Sequence, residues 1–342
     1  MFKRRLGRSN LEVSALGLGC WAIGGPWDWL EADGRREPVG WGQVDDAESI
    51  RAIHCAFEAG INFFDTAANY GCGHSERILA QALADRRDKV ILATKFGYVV
   101  DEQHRLVSET DEIVPRIRQE CEDSLRRLQT DYIDLYQFHK DDYPPEKAAE
   151  VCEVLESLVV EGKIRWYGWS TDNPEGARVF AQGQHCTAIQ HRLNMSYAAP
   201  QMQVSDQILA ICEAHDLASI NRTPLGMGML TGKFTPQTTF PENDVRHSWN
   251  LGAERPAQFL QRAEAVRKLL AEGGDPRTLP QIALAWIWAR SERTVPIPGF
   301  KNIAQVTENI GAMDFGWLSR EQMQAIDEIY ERGLINSEHQ LL

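Results

Sequence analysis

The chain contains no run of about 18 apolar residues, the length that a helix needs to cross a bilayer, so no membrane span is expected. Its opening, Met1-Phe2-Lys3-Arg4-Arg5-Leu6-Gly7-Arg8, carries charge without an apolar stretch behind it and does not read as a secretory signal. There is no C-x-x-C pair. The seven cysteines, Cys20, Cys55, Cys72, Cys121, Cys152, Cys186 and Cys212, are scattered. An odd, unclustered set points to reduced thiols in a cytoplasmic protein, not to disulfides or a zinc site, and no metal is expected. Linkers and low-complexity segments are missing as well, so residues 1–342 are expected to form one domain. Positive charge is in short supply: 36 Lys and Arg face 49 Asp and Glu, for a formal net charge of −13. Such a surface repels nucleic acid and anionic membranes. Any anionic ligand must then be held by a local cluster of donors.

What is present is an alternation. Short apolar runs at Ala15–Cys20, Ile61–Thr66, Val90–Lys95, Ile133–His139, Ile164–Ser170, Thr187–Leu193, Leu217–Thr223 and Thr294–Pro298 read as strands. Near-continuous apolar runs are the pattern of parallel strands buried on both faces. Helical stretches lie between them. Asp46 is placed to cap a helix bearing Ile50, Ile53 and Phe57; a second carries Ile113, Ile117, Cys121, Leu125 and Leu128; a third carries Val151, Leu155, Leu158 and Val159 and stops at Gly162. Eight strands alternating with helices predict an α/β fold, a (β/α)8 barrel of the TIM type. An open doubly wound sheet is the weaker alternative, because no G-x-G-x-x-G leads from an early strand into a helix.

Two flourishes sit on this plan. Phe2–Arg5 and Leu11–Val13 flank Gly7-Arg8-Ser9-Asn10, which predicts an N-terminal β-hairpin plugging the barrel bottom. Two long loops, Gly24–Val44 with Trp27, Trp29 and Trp41, and Leu230–Pro256 with Trp249, follow strands. They are expected on the C-terminal face of the barrel, where active sites form.

The strand ends carry the chemistry. The second run ends in Asp65 with Tyr70 just beyond, the third in Lys95 and the fourth in His139. Each has an ordinary reading alone: a turn cap, a snorkelling lysine, a satisfied histidine. Four such groups on adjacent strands of one rim are better explained as a catalytic set. A tyrosine titrates near about 10, too high for acid–base work at neutral pH. A neighbouring Lys95 ammonium is expected to lower it, Asp65 to hold Lys95, and His139 to donate to a carbonyl oxygen. The set has no nucleophile–base pair, which argues against hydrolysis.

Later strands offer cofactor-type groups. Ser170 and Gln190 suit a carboxamide. Thr223-Pro224-Leu225-Gly226 and Lys233 suit a pyrophosphate. Gly299 and Lys301 lead into a helix with Gln305, Glu308 and Asn309, and a helix N-terminus carrying Lys301 is a ready site for a 2′-phosphate.

Taken in order, Gly17-Leu18-Gly19, Asp65-Thr66-Ala67 with Tyr70-Gly71, Thr94-Lys95, Asp131-Tyr132-Ile133-Asp134-Leu135, His139, Glu161-Gly162-Lys163-Ile164-Arg165, Gly168-Trp169-Ser170 and Pro298-Gly299 with Glu308-Asn309 resemble the aldo-keto reductase pattern over nearly the whole chain. The resemblance implies NADPH or NADP+ across the barrel mouth and a small-molecule carbonyl substrate. It implies Tyr70 as acid, Lys95 and Asp65 as its tuners and His139 as substrate orienter. The implied cofactor contacts run from Gly19, Cys20, Trp21 and Asp65, through Ser170, Gln190, Arg222 and the Thr223–Gly226 stretch, to Lys233, Gly299, Lys301, Gln305, Glu308 and Asn309.

This sequence departs from the pattern at Thr171, where asparagine is common, and at Arg222, where many members place an aromatic. Arg222 is expected either near the nicotinamide or phosphates, or paired with an acid of the Leu230–Pro256 loop. Two other functions compete with the reductase reading. One is a non-catalytic redox-sensing subunit resembling potassium-channel β-subunits. The other is a Schiff-base lyase acting through Lys95.

Overall fold

A computed structural model describes residues 2–196 and 199–335. Fourteen strands are assigned among them: β1 Lys3–Arg5, β2 Glu12–Ser14, β3 Leu18–Gly19, β4 Asp28–Leu30, β5 Arg36–Pro38, β6 Phe63–Asp65, β7 Ile91–Phe96, β8 Val99–Asp101, β9 Leu106–Ser108, β10 Ile133–Phe138, β11 Ile164–Ser170, β12 Cys186–Arg192, β13 Ala218–Arg222 and β14 Thr294–Pro296. Eight of them form one parallel sheet in the order β14-β13-β12-β11-β10-β7-β6-β3. The sheet curls back on itself. The Gly17 and Gly19 amides donate to the Pro296 and Pro298 carbonyls at 3.0 and 3.1 Å, which joins β3 to the chain beyond β14. A side chain at Gly19 would put its Cβ 2.6 Å from the Ile297 carbonyl, so the seam closes only around glycine.

Helices α1 Asp46–Glu58, α2 His74–Leu83, α3 Ile113–Leu128, α4 Ala148–Val160, α5 Pro174–Ala181, α6 Ala199–Ala214, α7 Glu254–Glu272, α8 Leu279–Arg290, α9 Ile303–Gly311 and α10 Arg320–Ile335 complete the chain. They cover the sheet from outside, as the (β/α)8 plan requires. α8 buries most of its circumference, including Trp286 and Trp288, because it is covered by α7, α9 and the sheet. The first helix starts one residue earlier in its cap than expected. Asp45, not Asp46, is the N-cap and accepts from the Glu48 amide, while Asp46 is already inside the helix. Asp45 has the extended backbone that a cap needs.

The hairpin β1–β2 closes the barrel bottom. Its Leu6, Leu11 and Val13 pack with Phe63, Ile91, Ala93, Leu135, Ala188, Ala218, Ile220 and Val295 into one apolar cluster. These are the inward-facing residues of the barrel strands. Side chains alternate along a strand with period two. The next inward position toward the C-terminal end is therefore Asp65 on β6, Lys95 on β7, Gln137 on β10, Gln190 on β12 and Arg222 on β13. The barrel is an apolar plug beneath a polar layer, and the polar layer is the site.

The long loops lie above that layer, and they are more structured than the sequence suggests. The first contains the hairpin β4–β5. A second hairpin, β8–β9, leaves the end of β7 and pairs with it to give a four-stranded sheet in the order β5-β4-β9-β8. The loop after β13 meets the first through a bridge between Trp41 and Asp244, and the Val245 amide donates to the Gly40 carbonyl at 2.7 Å.

Candidate active site

Lys95 is fully buried, and its ammonium donates to three acceptors. These are Asp65 Oδ1 at 2.5 Å, the Thr66 carbonyl at 2.8 Å and Tyr70 Oη at 3.2 Å. Three N–H bonds meet three oxygens, so no proton of this buried cation is left without a partner. Asp65 is equally occupied. Its Oδ2 accepts from Gln137 Nε2 at 2.9 Å and Gln190 Nε2 at 2.8 Å, and the Gln190 amide also donates to Gln137 Oε1 at 3.1 Å. Four strands thus meet in one hydrogen-bonded cluster. A buried ion pair is costly to assemble and more costly to break, so this cluster holds its members rigidly.

Tyr70 reaches the cluster from the loop after β6. Gly71 behind it has φ +62°, and a Cβ there would lie 2.0 Å from the Gly24 carbonyl. Only glycine lets the two loops touch, and that contact fixes the Tyr70 backbone. Trp21 stacks on the phenol ring at 6.0 Å between centroids, and the Lys95 ammonium lies 4.8 Å from the ring centre. His139 follows β10 and meets the Tyr70 ring edge-on at 5.9 Å. Tyr98 closes the other side, with its hydroxyl donating to the His139 carbonyl at 3.2 Å. Trp29 packs edge-on against Tyr98 at 5.1 Å. The open side of Tyr70 and His139 is therefore walled by aromatic rings from the loops.

The electrostatics differ from the expectation in one respect. Burial pushes the Tyr70 hydroxyl up, and this outweighs the opposite pull of Lys95, so the net direction is up. The phenol remains protonated at neutral pH. Burial also opposes the Lys95 charge, but Asp65 and Tyr70 overcome it and the ammonium is held above its ordinary value. His139 is pushed well below the ordinary imidazole range by burial, helped by Lys95 and Arg222. It is neutral at pH 7, and its buried Nδ1 has no hydrogen-bond partner.

The expected cofactor residues are distributed around the same rim. Ser170 and Gln190 are adjacent, with a long 3.5 Å bond from the serine hydroxyl to Gln190 Oε1. The Gln190 nitrogen is already spent on Asp65 and Gln137. Cys20 is fully buried, with burial holding its thiol protonated; the Gly19 amide is used in closing the barrel and the Cys20 amide donates to the Asp65 carbonyl at 2.8 Å. Past β13, Thr223, Gly226, Met227, Gly228 and Gly232 all have positive φ. The Gly226 and Gly228 amides donate to the Thr223 and Leu225 carbonyls at 2.9 and 3.0 Å, so the stretch is a series of tight turns. Pro224 is buried there and Leu225 half-buried, and the Thr223 carbonyl accepts from Asn194 Nδ2 at 3.1 Å. Lys233 and Glu308, both expected at the cofactor, form an ion pair at 3.5 Å that links this stretch to α9. The Nδ2 of Asn309, on α9, is buried without a partner. Lys301 donates from its amide to Gln305 Oε1 at 2.8 Å and from its ammonium to the Trp41 carbonyl.

Arg222 pairs with neither the loop nor an open rim. Its guanidinium donates to Asp172 Oδ2 at 2.7 Å and Asp141 Oδ2 at 3.4 Å. These acids lie after β11 and β10, so the expected pairing with an acid of the Leu230–Pro256 loop is wrong. β13 pairs with β12 and β14, and the Arg222 guanidinium at its end reaches across β12 to the acids that follow β11 and β10. Its charge is felt at Tyr70, His139 and Tyr98. Sequence reasoning also passed over Gln137, although the inward register of β10 marks it. Thr171, where asparagine is common, donates to Asp141 Oδ1 at 2.7 Å and so belongs to the Arg222 cluster.

The fold is shared with known proteins. The model of the aldo/keto reductase family matches residues 15–331. The aldo-keto reductase YhdN of Bacillus subtilis (strain 168) is 32% identical over 328 residues, 94% of this chain and 92% of that protein. The NADH-specific methylglyoxal reductase of Escherichia coli (strain K12) is 30% identical over 343 residues, 96% of this chain and 100% of that protein. Among solved structures, the glycerol dehydrogenase of Gluconobacter oxydans superposes with a TM-score of 0.80 at 33% identity, covering 96% of this chain and 95% of that one. An aldo-keto reductase from Klebsiella pneumoniae in complex with NADPH gives 0.68 at 26% identity, covering 96% of each. The chain belongs to the aldo/keto reductase family of oxidoreductases, and its barrel is the fold of that family. No helix among the described residues is long and apolar enough to cross a membrane.

Proposed function

We propose that this chain reduces an aldehyde or ketone to an alcohol with NADPH as hydride donor, and that Tyr70 is the general acid. The observation that carries this reading is the buried Lys95 ammonium bonded at once to Asp65, the Thr66 carbonyl and the Tyr70 hydroxyl. A protonated phenol beside a fixed cation can give its proton to a nascent alkoxide, because the ammonium stabilises the phenolate left behind. Neutral His139 can donate to the carbonyl oxygen and hold it at Tyr70. The Trp21, Trp29 and Tyr98 walls exclude water from that point.

The donor set fits a nicotinamide dinucleotide. Ser170 and Gln190 Oε1 would hold the carboxamide. The positive-φ backbone from Thr223 to Gly232, with Lys233, would hold the pyrophosphate. Gly299, Asn309 and Lys301 would hold the adenosine end, where an unpartnered buried amide awaits an acceptor. Bound there, the cofactor supplies the hydride. The first test is cofactor oxidation, followed by absorbance, against a panel of aldehydes, ketones and aldoses. Turnover of at least one class is expected. Trapping of substrate on Lys95 by borohydride, with no cofactor consumed, would instead favour a Schiff-base lyase.

A further inference from the structure

The entrance to α9 is not the bare cationic site that Lys301 alone suggests. Glu48, in the first turn of α1, crosses to it. Its Oε1 accepts the amide of Ile303, the first residue of α9, at 3.0 Å. Its Oε2 accepts from Arg51 Nε at 3.1 Å and Nη2 at 2.6 Å. The Ile303 amide and Arg51 hold the carboxyl below its ordinary range, so it is a full anion at neutral pH. The other donors here are also engaged. Asn302 Oδ1 accepts the Gln305 amide at 3.0 Å, and Gln305 Oε1 accepts that of Lys301. The Lys301 ammonium bonds the Trp41 carbonyl and feels the charge of Asp244. Asp244 is itself forked by Arg246 through two bonds of 2.8 Å.

This arrangement has a consequence for the cofactor. A 2′-phosphate brought to this helix end meets Lys301, but it also meets a carboxylate already seated on the helix N-terminus. A ribose 2′-hydroxyl meets no such repulsion, and a carboxylate is a natural acceptor for it. Resting on the reading above, in which the adenosine end lies at Lys301, we propose that Glu48 is a specificity-determining residue that narrows the preference for NADPH over NADH, so that this chain uses both.

The test is equilibrium binding, read by quenching of intrinsic tryptophan fluorescence, of NADPH, NADH and 2′,5′-ADP to the full chain. Glu48→Gln keeps an oxygen for the Ile303 amide and gives up the charge together with the exposed ion pair to Arg51, which contributes little to the fold. Deleting one anion near a partly exposed phosphate should tighten NADPH and 2′,5′-ADP by roughly three- to tenfold and leave NADH within about twofold. Lys301→Ala should do the reverse, weakening NADPH and 2′,5′-ADP but not NADH. Glu12→Gln on the barrel bottom controls for net charge and should move nothing. The proposal is overturned if Glu48→Gln changes NADPH and NADH alike, or neither, while Lys301→Ala still acts on NADPH alone. If Lys301→Ala also fails to discriminate, or neither dinucleotide binds, the placement of the adenosine end is wrong as well, and the underlying reading falls with the proposal.

Discussion

At the scale of single residues, the candidate site is a layer of polar groups on an apolar plug. Asp65, Tyr70, Lys95 and His139 were legible in the sequence because ionisable groups at the ends of apolar strands are costly unless they pair or work. Gln137 was not singled out. A neutral amide raises no such alarm, and its partner Asp65 is 72 positions away. The acids that hold Arg222 were missed for a similar reason: Asp141 and Asp172 lie in separate loops, and only barrel closure brings them together. Arg222 carries the first prediction. If its guanidinium faces the bound cofactor, Arg222→Ala should raise the NADPH dissociation constant by a factor worth about 1 to 3 kcal/mol, the range for hydrogen bonds to charged groups. Arg222→Tyr should recover part of the loss, because an aromatic restores a stacking surface. Fluorescence titration of the three proteins decides, and unchanged affinity in Arg222→Ala removes the arginine from the cofactor site.

At the scale of elements, the barrel strands and the hairpin plug followed from their pattern, since strands buried on both faces leave uninterrupted apolar runs. β8 and β9 did not. Each has three residues, too few for any period to show, and the hairpin joins the first loop only where β9 pairs with β4, Asp28 opposite Leu106. What anchors this added sheet is a polar joint beneath it. Arg127 on α3 bonds Glu76 on α2 at 2.5 Å and Glu102 in the β8–β9 turn at 3.0 Å, while Thr94 on β7 donates to Glu76 at 2.6 Å. Glu76 is fully buried and Arg127 nearly so. Glu76→Ala would strand a buried cation, and a loss of about 3 to 5 kcal/mol is expected in urea denaturation. A loss under about 1 kcal/mol would mean that Glu102 alone suffices for Arg127.

At the scale of the molecule, stability and chemistry share the same buried groups. His191 on β12 bonds Ser219 Oγ on β13 at 2.7 Å, and burial pushes its pKa down to about 4. His139 is lowered as well. In the unfolded chain both titrate near about 6.5. Between that pH and about 4 the unfolded state binds a proton that native His191 refuses, so its contribution is fully present above about 6.5 and is lost as pH falls, and His139 acts in the same direction. For His191 the loss should approach about 3 kcal/mol, and His191→Gln should flatten the urea-derived stability profile between pH 7 and 4.5 relative to the parent. Parallel profiles would contradict the assignment of a buried neutral imidazole. The central claim, that this barrel exists to place one phenolic proton beside a fixed ammonium, is tested most directly by Tyr70→Phe. The substitution keeps the ring that Trp21 stacks on and removes only the hydroxyl that Lys95 bonds. Single-turnover hydride transfer to a substrate aldehyde, measured with the cofactor prebound, should fall by about two to four orders of magnitude while the cofactor dissociation constant is unchanged. A Tyr70→Phe protein that transfers hydride at the parent rate would contradict the account.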